Sequence, residues 1–231
     1  MKNSERIIYG LLFTAVAFLT ANYVGRLVKL NISFLPSSFM THAAMLLLAI
    51  VLICVFKKHM NYRIAWPKFK LTLKPVLLGF LTAVIVNVLI FGIGTSLGVK
   101  QESHFVFDET SPLQFFLFIF IGASVAEELL FRGFLQNILR PLQNKGIKLF
   151  KRHISVPVII SALAFSLVHL ILIASGAGSY FIFRTLAFTF VLGLIAGYYQ
   201  EKYDNNAYAI IVHMSGNLMG LMASIMLTLS I

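Results

Sequence analysis

Charge is what this 231-residue chain has least of: 12% of its residues are Asp, Glu, Lys or Arg, about half the share usual in a soluble domain. Eight residues are acidic, so a carboxylate inside an apolar run stands out. One cysteine, Cys54, excludes an intrachain disulfide and any cysteine-based zinc site. It lies in an apolar run and reads as buried filler. Internal repeats, low-complexity tracts and a soluble domain are also missing. What is abundant is hydrophobicity: 59% of residues are apolar, 22 are Phe, and mean hydropathy is +0.89. Such a chain has lipid as its solvent.

A membrane-crossing helix needs about 20 mostly apolar residues. Seven segments qualify: Ile7–Gly25, Phe39–Phe56, Pro75–Leu97, Pro112–Leu139, Ile154–Ala174, Ser179–Gln200 and Ala207–Ile231. The expected fold is all-α, a polytopic membrane bundle of about seven helices. Lys2 and Arg6 precede the first run as in a signal peptide, but six further spans make it a retained anchor. The net charge of +11 could suggest nucleic acid, yet the basic residues sit in short loops between spans, as the positive-inside rule requires. On one side lie Lys2, Arg6, Lys57, Lys58, Arg63, Lys68, Lys70, Lys74, Arg140, Lys145, Lys148, Lys151, Arg152 and Lys202; on the other lie Arg26, Lys29 and Lys100. This split of 14 to 3 predicts a cytoplasmic N-terminus and an integral location in a membrane, with the bilayer as partner and no nucleic acid. Glu102, Asp108 and Glu109 fall in the third loop, outside, and Trp66-Pro67 reads as an interfacial anchor.

Glu127 and Glu128 are adjacent inside the fourth span. Ionisable groups in a bilayer cost at least a few kcal/mol each, so they persist where they pair or work. Neighbours on a helix point about 100° apart, which gives the two carboxylates separate duties. Glu128 and Arg132 have the i,i+4 spacing of an ion pair, which would leave Glu127 available. The fifth span holds His169, four residues after Phe165, and the seventh holds His213 and Asn217 on one helix face. Gly216 and Gly220 permit close backbone approach there. At 1.5 Å per residue, Glu127, His169, His213 and Asn217 lie roughly 10–22 Å from the cytoplasmic ends of their spans, depths that allow one shared layer. Glu and His can activate water, and His and Asn can donate to an oxyanion. His42 reads as an interhelical or interfacial residue, Asn87 as interhelical glue and Arg184 as a snorkelling cation. His59, His104 and His153 lie in or beside loops and receive no role. The first three spans otherwise carry no legible chemistry.

The segments Glu127-Glu128-Leu-Leu-Phe-Arg132, Phe165-Ser-Leu-Val-His169 and His213-Met-Ser-Gly-Asn217 resemble the three motifs of the CPBP (Abi) family, which includes the type II CAAX prenyl endopeptidases. The resemblance covers about the last 110 residues. It divides the chain into N-terminal helices (1–111) and a CPBP-like catalytic core (112–231), and implies an intramembrane endopeptidase acting on a membrane-associated peptide or protein from a cavity open to the cytoplasm. It further implies that Glu127 activates water with His169, that His213 and Asn217 stabilise the oxyanion, and that Glu128, Arg132 and Phe165 support them. No cofactor is favoured. A zinc ion on Glu127, His169 and His213 is the metal alternative, although no His-Glu-x-x-His signature occurs. Peptide or bacteriocin processing and self-immunity in a bacterial cell membrane are the implied settings. A transporter or proton relay also uses intramembrane Glu and His, and a partner-binding immunity protein could keep the same motifs. Both alternatives stay open here, although no internal repeat of the kind many transporters show is present.

Overall fold

The computed structural model describes residues 1–99 and 110–229. Lys100, Glu102, His104, Asp108, Glu109 and Ile231, named above, lie outside the described residues. Six helices are long and apolar enough to cross a membrane: α1 (Asn3–Leu27), α3 (Phe69–Ser96), α4 (Pro112–Gln136), α5 (Val156–Ser175), α6 (Ser179–Tyr203) and α7 (Ala207–Leu229). The seventh, α2 (Phe39–Val55), is apolar but has only 17 residues. That is about 26 Å of helix against a hydrocarbon layer of about 30 Å. The chain is thus the polytopic helical bundle expected. Its third helix begins six residues earlier than expected, taking in the basic Lys70 and Lys74 and accommodating Pro75 in its second turn.

One element departs from all-α. The basic fourth loop forms an antiparallel hairpin, β1 (Gly146–Leu149) and β2 (Arg152–Ser155). Its strands have four residues each, and its turn places Phe150 at φ 53°. With no Asn-Gly or Asp-Gly pair at the turn, the usual sequence signal is missing. The hairpin delivers Ser155 to the start of α5, where its hydroxyl accepts from the Val158 amide and donates to Glu201 of α6 at 2.6 Å.

Contacts at the two ends of the bundle establish the alternation of the helices. At one end, Arg6 donates to the carbonyls of His59 and Ile138. Asn205 clasps both backbone groups of Ala65, Arg140 pairs with Asp204 at 2.7 Å, and the Lys68 amide donates to the Tyr208 hydroxyl. The N-terminus, the second and fourth loops and the α6–α7 turn therefore share one face. At the other end, Gln114 donates to the carbonyls of Ser33 and Phe34, Phe34 packs on Phe118, and Tyr180 donates to the Ile90 carbonyl.

Packing crosses the boundary at residue 111. Ala17 and Ala21 of α1 and Met45 and Ala49 of α2 are buried with Leu130, Phe134, Leu135 and Ile138. Small residues permit this closeness, because lipid supplies no hydrophobic force between helices. Gly216 and Gly220 face Leu192 and Phe115. Where α3 crosses α7, a Cβ at Gly79 would lie 2.4 Å from the Val212 carbonyl oxygen. Cys54, expected to be buried, is exposed on α2. A single apolar run does not reveal which of its residues face lipid.

The Gly79 contact is with backbone, which cannot swing away. Gly79→Val is expected to destabilise the fold by at least the 1–3 kcal/mol or so typical of overpacking. Gly92→Val, at a position with open space around the missing Cβ, is expected to melt like the parent. Thermal unfolding of both in detergent checks this.

Candidate active site

The polar centre is built around α4, whose winding is irregular. Turns of the wide, i→i+5 type run over Phe115–Ala123 and Leu129–Gln136, on either side of an α-helical segment, Ser124–Glu128. Such turns are rare and concentrate at functional places. The α-helical segment carries both glutamates, and their side chains meet different surroundings.

Glu128 is fully buried. Its Oε1 accepts from Arg132 Nη1 at 2.9 Å, the i,i+4 contact. The same oxygen accepts from Nδ1 of His213 on α7, also at 2.9 Å. Arg132 is fully buried too, with its guanidinium 4.5 Å from the centre of the Phe165 ring. A Cβ added at Gly193 of α6 would lie 2.8 Å from Arg132 Nη2, so a glycine makes room for the guanidinium. Asn206, at the start of α7, donates to the Glu128 carbonyl, which ties the α6–α7 turn to the same point.

Glu127 turns the other way. It lines a cavity of about 760 Å³ together with His169, His213 and Asn217. His213 Nε2 is 3.8 Å from Glu127 Oε2, and His42 Nε2 of α2 is 3.7 Å from Oε1. His169 Nδ1 lies 2.9 Å from the Phe165 carbonyl. A carbonyl only accepts, so Nδ1 carries the proton and the neutral ring presents Nε2 as an acceptor. The Phe165 ring packs edge-on against both imidazoles, with centroids 5.3 Å from His169 and 5.4 Å from His213. Asn217 donates to the Ser124 hydroxyl at 3.1 Å, one turn before Glu127.

The structure therefore brings Glu127, His169, His213 and Asn217 to one cavity, with Glu128, Arg132 and Phe165 behind them. Sequence reading missed His42 and Ser124. The sequence marks His42 only as an interhelical or interfacial residue in a part of the chain without legible chemistry. It is an interhelical residue, and its neighbour is Glu127. It is the only His in the first three spans, which is the one signal that could have marked it. Ser124 stands one turn before the glutamates, and small hydroxyls are too common in membrane helices to be marked by type.

A zinc ion on Glu127, His169 and His213 requires three donors grouped within ligating distance of one point. Among the described residues no group of three His, Cys, Asp or Glu side chains is placed to hold a metal ion.

The cavity has a direction. Arg26 at the end of α1, Ser37 and Ser175 line it and are exposed. On the opposite side of the glutamates every residue from Leu129 to Gln136 is buried. The opening thus lies at the end of the bundle away from the N-terminus. The two expectations of a cytoplasmic N-terminus and a cavity open to the cytoplasm are incompatible in this fold.

No curated protein and no solved structure matches the chain. Residues 109–219 match the family described as Type II CAAX prenyl endopeptidase Rce1-like. The matched segment starts just ahead of α4 and ends just past Asn217, so it holds the whole glutamate, histidine and asparagine arrangement and leaves out α1–α3 with His42. Over that segment, just under half of the chain, the sequence is similar to the Rce1-like type II CAAX prenyl endopeptidases.

Proposed function

We propose that the chain hydrolyses a peptide bond in a membrane-associated protein or peptide, with water activated by Glu127 and without a metal. The supporting observation is the division of labour between neighbouring carboxylates. Glu128 is committed to Arg132 and His213, while Glu127 faces the cavity beside imidazoles. In this reading Glu127 takes a proton from a water that also donates to His169 Nε2. The water oxygen bonds to the scissile carbonyl carbon, and the oxyanion accepts from Asn217 and His213. With Nδ1 of His213 held by Glu128, donation from Nε2 requires the imidazolium. Glu127 then passes its proton to the departing nitrogen as the C–N bond breaks. Arg132 and Phe165 act through Glu128 and the two imidazoles as positioning residues.

A transporter or proton relay needs a polar route to both faces. The buried stretch Leu129–Gln136 beneath the cavity leaves no open passage for a solute, which favours the protease over a solute transporter. A partner-binding immunity protein would have no use for an open carboxylate beside three histidines. The basic residues gathered on the N-terminal face support an N-in orientation.

Two adjacent glutamates should give two phenotypes. Glu127→Gln keeps the shape but cannot take a proton. General-base catalysis is worth about 100- to 10,000-fold, so turnover should fall by at least that much while melting stays near that of the parent. Glu128→Gln strands the buried Arg132 charge, and breaking a buried pair costs about 3–5 kcal/mol, so folded yield and activity should fall together. Melting and cleavage measured side by side decide this. A stable, inactive Glu128→Gln beside an active Glu127→Gln would reverse the two roles, and cleavage by both would remove Glu127 as the water-activating base.

Activity should also survive exhaustive chelation of the folded protein. Stoichiometric zinc in the purified enzyme, with activity lost on stripping and regained on readdition, would overturn the metal-free mechanism.

A further inference from the structure

We infer that the cavity is entered from the extracytoplasmic side, so that the substrate is a peptide or juxtamembrane segment already outside the cytoplasm. This rests on the protease reading for the word substrate, but not for the direction of entry. Two independent observations meet here. The first is geometric. The rim formed by Arg26, Ser37 and Ser175 is at the end of the bundle where α1 finishes and α6 begins, and the opposite side of the glutamates is closed by the buried run Leu129–Gln136.

The second is electrostatic. The closed end carries the N-terminus, the second and fourth loops and the α6–α7 turn, held together by Arg6, Asn205 and Arg140. All fourteen cations of the larger set lie in the loops or helix ends on that side. The open end has Arg26, Lys29 and Arg184 among the described residues. A Lys/Arg bias of this size in short loops sets orientation, and the rich side stays in the cytoplasm. The closed end is therefore cytoplasmic and the mouth faces out. A cytoplasmic prenylated tail would meet the sealed face, while a secreted or translocated peptide would meet the mouth.

The single native cysteine makes this directly testable. In a Cys54→Ser background, Ser175→Cys and Arg26→Cys mark the rim, and Lys148→Cys on the hairpin marks the closed end. A membrane-impermeant maleimide is applied to intact expressing cells and to sealed inside-out vesicles. Both rim cysteines should react in intact cells and be unreactive in inside-out vesicles, and Lys148→Cys should show the reverse. A bulky maleimide added from outside to Ser175→Cys should also abolish cleavage. Rim cysteines that react only in inside-out vesicles would overturn the inference, whether or not Glu127→Gln is inactive. Outside labelling together with no cleavage of any tested peptide by the parent protein would instead leave the entry direction standing and sink the protease reading. Two rim positions guard against one substitution failing to fold.

Discussion

The carboxylate of Glu128 is the point on which the rest of the structure depends. One oxygen accepts from Arg132 on its own helix and from His213 on α7, each at 2.9 Å. Asn206 holds the backbone of the same residue. In lipid there is no water to substitute for a missing partner, so these groups must find one another. The guanidinium determines much of the surrounding packing: Phe165 lies against it and Gly193 gives it space. Phe165 in turn sets the distance between the two imidazoles. A buried pair of this kind is weak evidence for added stability. Its value here is registry, because it keeps α4, α5, α6 and α7 in one relative position.

Most of the architecture was legible in the sequence because the signals were strong ones. Apolar runs of membrane length marked the helices to within a few residues, and the end contacts of the bundle show the alternation expected from the charge pattern. The Glu128–Arg132 contact was legible for a similar reason, since i,i+4 is a helical neighbour whatever the tertiary fold. Features depending on three-dimensional detail were not. The wide turns of α4 leave no mark in a run of apolar residues. The hairpin Gly146–Ser155 has strands too short and a turn too unusual to declare itself. Which flank of α2 meets lipid, and hence the exposure of Cys54, depends on partners brought in from elsewhere.

His42 is the most instructive of the missed residues. It belongs to α2, outside the segment matching the family, and sits as close to Glu127 as His213 does. Reading motifs finds the groups a family shares. It cannot find one contributed by the remainder of the chain, because only proximity in space reveals that contribution. The two parts of the chain, separate in motif content, share one core and one cavity.

The shortness of α2 has a consequence for the bilayer. His42 is the fourth residue of α2, and it touches a carboxylate sixteen residues into α4. Measured along α4, Glu127 is about 22 Å from the helix start; measured along α2 it is about one turn, or 5 Å, from where that helix begins. A hydrophobic surface this short obliges neighbouring lipid to thin, or headgroups to sink, at a cost of fractions of a kcal/mol per Å. Thinning of the hydrocarbon beside α2 would bring the local headgroups to within about one helical turn of the depth of Glu127.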